Sequence, residues 1–163
     1  MIEIIAVLVL IGIMGAVVVN NADDFITTND LVAEIEILKS NIRYAQTKSM
    51  NSSDTEVWQI YIDNAKKSYT LQQYNGATFE DRSLPGENED YDGDGLYETH
   101  KLPDGITLKG KAKAAIVFNN WGIPVEEGNH GTAHTADLDV ELKKGSQSMS
   151  LTVTRNTGFT YIP

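Results

Sequence analysis

Met1–Val19 reads MIEIIAVLVLIGIMGAVVV, apolar or glycine at every position except Glu3. At roughly 1.5 Å per residue a helix of this run is about 28 Å long, close to the hydrocarbon thickness of a bilayer. It predicts a transmembrane or membrane-stored helix. A helix apolar on all sides needs an apolar sheath, and nothing downstream is apolar enough to wrap it as a buried core helix. A secretory signal peptide carries a basic flank, yet no Lys or Arg precedes Lys39. That missing flank is expected of a chain whose leader has been removed.

A lone carboxylate in hydrocarbon costs a few kcal/mol or more unless it snorkels, takes up a proton or meets a cation. Glu3 is followed nine residues later by Gly12, with Ile4-Ile5-Ala6-Val7-Leu8-Val9-Leu10-Ile11 between them. This arrangement resembles the N-terminal motif of type IV pilins and pseudopilins. In that family the carboxylate is the fifth mature residue, so either two residues precede Met1 or the processing site differs. The family's proline near residue 20 is replaced here by Asn20-Asn21 and Asp23-Asp24. The resemblance implies insertion in the inner membrane, processing by a prepilin peptidase and extraction into a helical filament by a pilus or type II secretion assembly machinery. It implies that Glu3 neutralises the α-amino group of an adjacent subunit. Gly12 and Gly15, each lowering helix propensity by up to about 1 kcal/mol, would be where the helix loosens as the filament forms.

Beyond Thr28, Leu31, Ile35, Leu38, Ile42 and Ala45 recur at steps of four and three, the spacing of one helical face. Glu34, Glu36, Lys39 and Arg43 are expected on the other face. Asn29 or Asp30 is a candidate cap, with the helix loosened between Asn20 and Thr28, and Asn51-Ser52-Ser53-Asp54 is the stop. Strands are expected at Val57–Ile62, Ser68–Tyr74, Ile106–Leu108, Ala114–Phe118, Leu138–Leu142, Ser148–Thr154 and Phe159–Ile162, the last three forming an antiparallel meander turned at Gly145 and Asn156-Thr157-Gly158. The predicted fold class is α+β: a long N-terminal helix, apolar in its first half, packed on an antiparallel β head. Three segments follow: a filament-core helix over 1–24, an amphipathic continuation over 25–52, and a β-rich head over 53–163 with an acidic loop at 86–99. A helix ending in Leu38-Lys39-Ser40-Asn41-Ile42-Arg43-Tyr44-Ala45-Gln46, an Ile-Val-Phe strand leading to Gly122 and a last hairpin through Thr157-Gly158 resemble the GspH/FimT type of pseudopilin.

Within the loop, Asp90, Asp92 and Asp94 followed by Gly95 fit the spacing D-x-D-x-D-G. Alternate carboxylates in a tight loop converge on one point, and three of them within five residues repel unless a cation joins them. The expected ligand set for Ca²⁺ is Asp90, Asp92, Asp94, the backbone carbonyl of Leu96 and the carboxylate of Glu98. The twelfth position is Lys101 instead of Glu, so the loop is not an EF-hand.

The chain has 163 residues, with 13 Lys and Arg against 23 Asp and Glu, a net charge of -10. Such a balance argues against nucleic-acid binding through a basic surface. The absence of cysteine excludes disulfides and thiol chemistry. His130 and His134 have the spacing of a helical metal pair, but Gly128 and Gly131 predict a loop there, with no third ligand. No catalytic motif is present, and an enzyme is not expected. The expected function is structural: a homo-oligomeric subunit of an extracellular type IV pilus-like filament for adhesion or motility, held in the inner membrane before assembly. The alternatives are a minor pseudopilin of a type II secretion system or pilus tip, and a membrane-anchored calcium-binding ectodomain that does not polymerise.

Overall fold

The computed structural model describes residues 2–53, 56–87, 97–109 and 113–163, the side chains of 2, 15–26, 113, 129 and 130 excepted. One helix, α1, spans Ile2–Met50. It is the single long helix expected from Met1 to about Met50, and it runs unbroken through Asn20–Thr28, the one stretch where the sequence allows a loosening. No Pro or Gly occurs between Gly15 and Gly76, so nothing there removes an N–H or favours another backbone conformation. Asp30 accordingly lies within the helix and caps nothing; its carboxylate accepts a hydrogen bond from Lys144 Nζ at 2.5 Å. The helix stops where expected. Asn51 and Ser52 fold back on its last carbonyls, through Asn51 Nδ2 to Thr47 O at 2.8 Å and Ser52 Oγ to Lys48 O at 2.8 Å.

Among the described residues the head contains eleven strands: β1 Val57–Asp63, β2 Ser68–Tyr74, β3 Phe79–Asp81, β4 Thr99–Lys101, β5 Ile106–Lys109, β6 Lys113–Phe118, β7 Pro124–Glu126, β8 Asn129–Ala133, β9 Leu138–Lys144, β10 Gln147–Val153 and β11 Thr160–Tyr161. All pairings are antiparallel, and they form two sheets. The first has the order β3-β2-β1-β6-β7-β8 with β4 also on β2; the second has the order β11-β10-β9-β5. The expected meander is therefore β9-β10-β11, and β5 joins it by pairing Ile106–Lys109 with Lys144–Glu141. The His130 segment, expected as a loop, is strand β8. Gly128, with φ of +83°, turns the chain, and backbone pairing with β7 holds the strand.

Strand alternation decides what each sheet offers the helix. Trp58, Ile60 and Ile62 of β1 face one way into the main core, while Val57 faces the other into a small cluster with Val117 and Val125. The stripe Leu31, Ile35, Leu38, Ile42 and Ala45 is buried to 1% exposure or less. It packs in the main core with Ile60 and Leu71 of the first sheet and Leu142, Leu151 and Val153 of the second. Burying each large side chain of the stripe contributes about 1.5–3 kcal/mol. The upper half of α1 is thus the common wall of both sheets.

Polar side chains at the end of the helix then lock two loops. Gln46 Nε2 donates to Gly122 O at 2.9 Å and to Thr157 O at 2.8 Å. Ser49 is fully buried, and its hydroxyl lies 2.5 Å from Phe118 O and 2.9 Å from Asn119 O. Ser49→Ala leaves both carbonyls without that donor, and we expect it to cost about 1–2 kcal/mol. Chemical denaturation of the variant measures this; a change below 0.3 kcal/mol (roughly the measurement error of such comparisons) would show that the hydroxyl is dispensable.

Candidate functional site

Two features of the fold carry chemistry. The first is the projecting half of α1. Ile4, Ile5, Leu8, Leu10, Ile11 and Met14 are all more than half exposed, because none of the described strands of the head reaches them. Glu3 stands in the first turn of this arm and is exposed. A side chain added at Gly12 would meet nothing within 4 Å. Gly15 is helical, and its surroundings lie outside the described residues. The structure thus brings Glu3 and Gly12 onto one uncovered apolar rod, with no protein group of the same chain to neutralise the carboxylate among the described residues. Among the described residues no helix is long and apolar enough to cross a membrane; the described exposed run, Ile4–Met14, spans about half a hydrocarbon core.

The second feature lies where the acidic loop meets the helix. β3 and β4 sit end to end on one edge of β2, pairing Tyr74–Gln72 and Thr70–Ser68 respectively. The chain leaves and re-enters the sheet at a single residue: Arg82 N donates to Leu71 O at 2.9 Å, and Leu71 N donates to Glu98 O at 3.1 Å. Just beyond, Glu87 and His100 close the base of the loop. His100 Nδ1 lies 2.5 Å from Glu87 Oε1, and its Nε2 lies 2.5 Å from Glu34 Oε1 on α1. The imidazole stacks on Tyr69 at 4.8 Å between centroids, and Asn41 Nδ2 donates to the Tyr69 hydroxyl at 3.0 Å. Burial pushes the His100 pKa down, but hydrogen bonding and attraction from Glu34 and Glu87 outweigh it, and the imidazolium is held above its ordinary range. Burial pushes the Tyr69 phenol strongly up, so it remains protonated and accepts from Asn41.

This clamp was not anticipated. Glu34, expected on the face opposite the apolar stripe, is instead 4% exposed and points into the head. The signal was present, since Glu34 and Asn41 fall at the three- and four-residue steps between Leu31, Leu38 and Ala45, on the buried stripe itself. Of the calcium ligand set, Asp90, Asp92, Asp94 and Leu96 lie outside the described residues. Glu98 is described, and its carboxylate is buried against β2, in a polar hollow shared with Thr70, Gln72, Asp81 and Lys101. Among the described residues no group of three His, Asp or Glu side chains could hold a metal ion. His130 and His134 fall within and just after β8, so they have strand spacing and not that of a helical pair.

No protein-family model matches the chain, and no curated protein sequence matches it. Among solved structures, the minor pseudopilin EpsH from the type 2 secretion system of Vibrio cholerae is similar, with a TM-score of 0.56 over 82% of this chain and 96% of that one, at 10% identity. The fold is pseudopilin-like. The likeness is one of backbone architecture, which in this chain is an N-terminal helix packed on an antiparallel β head. For this pseudopilin-like chain, the projecting arm with Glu3 and the clamp at the base of the acidic loop are the two places where that architecture bears chemistry.

Proposed function

We propose that the chain is a structural subunit that polymerises through α1 into a helical filament, stored in the inner membrane before it assembles. The observation that carries the proposal is the uncovered apolar arm, which bears one carboxylate on a helix whose other half is fixed in the head. Water disfavours such an arm by about 25 cal/mol per Å² of apolar surface. A bilayer or a bundle of like arms removes that penalty, and a bundle also offers Glu3 a neighbouring α-amino group. The likeness to EpsH supports a pseudopilin role, as a minor component of a type II secretion or pilus assembly, over an abundant surface pilus for adhesion or motility.

Glu3→Ala tests the proposal. The variant is expected to reach the membrane and fold its head normally, yet to disappear from sheared filament fractions, a loss of at least tenfold (about 1.4 kcal/mol per addition step). Unchanged incorporation would sink the pairing of Glu3 with a neighbouring amine. The same fractions separate the two roles. Filaments composed mainly of this chain identify a major subunit, whereas trace amounts on filaments of another subunit identify a minor one.

Calcium binding by the acidic loop is a further part of the proposal, supported by the spacing of Asp90, Asp92 and Asp94. Chelation is expected to lower the melting temperature of the full chain in detergent by several degrees, on the order of 1–2 kcal/mol. Identical melts in calcium and in chelator would remove the ion from the account.

A further inference from the structure

The first sheet has an open edge beside a cleft. β1 covers one side of β6 along its whole length, from Lys113 to Phe118. β7 covers the other side only at Val117 and Phe118, opposite Val125 and Pro124. The hairpin then shifts register between Val125 and Glu126, an irregularity of the kind that bends a strand away from its neighbour. Asn119 N donates to Ile123 O on the β7 side. By the two-residue alternation of a strand, Val117, Ala115 and Lys113 direct their N–H and C=O groups to that same side. Among the described residues nothing pairs with Ala115 there.

A cavity of about 410 Å³ opens at this edge, between the two sheets. Ile62, Ala114 and Ala115 form its floor on one sheet; Leu108, Leu138 and Val140 form the facing wall on the other. His134 stands at its side, anchored by its backbone N–H to Pro124 O at 3.2 Å, with a buried Nε2 that has no hydrogen-bond partner among the described residues. The mouth is acidic. Glu126, Glu127 and Asp139 line it, and the one lysine that lines it among the described residues, Lys109, is already ion-paired with Glu141 at 2.8 Å.

We propose that this cleft receives an extended, cationic segment of a partner protein, added as a further strand to the open edge of β6. Each element of the site calls for a different part of such a segment. The free N–H and C=O of Ala115 require a backbone in strand geometry. The apolar walls take every second side chain, which must be of valine or leucine size to enter the cavity. The carboxylates at the mouth, which have no ion-pair partner among the described residues, favour Lys or Arg at the alternating positions. His134 Nε2 supplies one further polar contact at the side of the groove. The inference is independent of filament assembly, since the cleft belongs to the head and the apolar arm does not line it.

The probe is an acetylated and amidated eight-residue peptide alternating Lys and Val, titrated into the full chain in detergent micelles. Two controls accompany it: an alternating Glu–Val peptide, and the Lys–Val peptide N-methylated at every second residue to remove one edge of strand hydrogen bonds. We expect the Lys–Val peptide to bind and to slow hydrogen exchange at Ala115, and both controls to bind about tenfold more weakly or worse. Reversing the mouth with Glu126→Lys and Glu127→Lys is expected to weaken binding by a similar factor. Ala115→Pro removes the edge donor while sparing the pairing with β1; should that variant not fold, the N-methylated peptide still decides. Equal affinity for the N-methylated peptide, or slowed exchange at β3, β5 or β10 instead of β6, would overturn the proposal.

Discussion

Gly158→Ala is expected to destabilise the head by roughly 3 kcal/mol or more, a fall in melting temperature of about 10 °C for a chain of this size. Gly158 has a φ of +65°, a left-handed conformation that costs an L-residue about 1–2 kcal/mol. Space adds a second cost. A Cβ there would collide with the carbonyl oxygen of Gly122 and with Gln46 Nε2, and would press on the Phe118 ring at 3.0 Å. Those are the groups by which the helix holds both loops, so relief of the clash must loosen the Gln46 hydrogen bonds to Gly122 and Thr157. Gly145→Ala is the matched control. Its φ is +60°, but nothing lies within 4 Å of the added carbon. It should cost only the backbone term, about 1 kcal/mol. Equal costs for the two variants, measured by denaturant titration, would show that conformation and not close approach governs the Gly158 site.

The second large effect concerns the clamp of Glu34, His100 and Glu87. A neutral imidazole has one N–H to offer two carboxylates, whereas an imidazolium has two. Loss of the proton therefore leaves one of the two 2.5 Å contacts as acceptor against acceptor. Because the folded-state pKa of His100 is raised, the clamp's contribution is complete below the unfolded histidine value, about 6.5. It is lost as pH rises through the higher folded value. Stability should thus fall between about pH 6.5 and the alkaline end of the histidine range, and His100→Gln should abolish that slope. Glu34→Gln removes one carboxylate from a site only 5% exposed and should cost about 2–3 kcal/mol at pH 6, less at pH 9. A Glu34→Gln cost that is the same at both pH values would show that the pair acts through packing alone.

Much of the architecture was legible because it is periodic. The stripe from Leu31 to Ala45 and the seven-residue runs of β1, β2, β9 and β10, with apolar residues recurring along each, are long enough to reveal a period. The short strands β3, β4, β7 and β8 have three to five residues, several of them charged or glycine, and backbone pairing defines them. Their side chains announce nothing. The division into two sheets was also hidden, since it depends on which distant edges meet, as when Ile106–Lys109 joins β9. At the candidate sites, the spacing of Glu3 and Gly12 could be read from the chain because both lie on one rod. The clamp could not, because Glu34, Glu87 and His100 are brought together only when the helix docks. The local hint was a carboxylate, with Asn41, on a stripe whose other positions are apolar.

The single-residue gateway at Leu71 has a practical consequence. Since Arg82 and Glu98 hydrogen-bond to the same backbone unit, the path between them is a closed detour whose length is independent of strand register. Extra residues placed after Glu87 are expected to leave the pairings of β2 in place, at a loop-closure cost of about 0.6 kcal/mol for each doubling of the detour. The head therefore carries a natural port for grafted epitopes or fluorophore tags, at which a passenger sequence can be displayed without renegotiating the core.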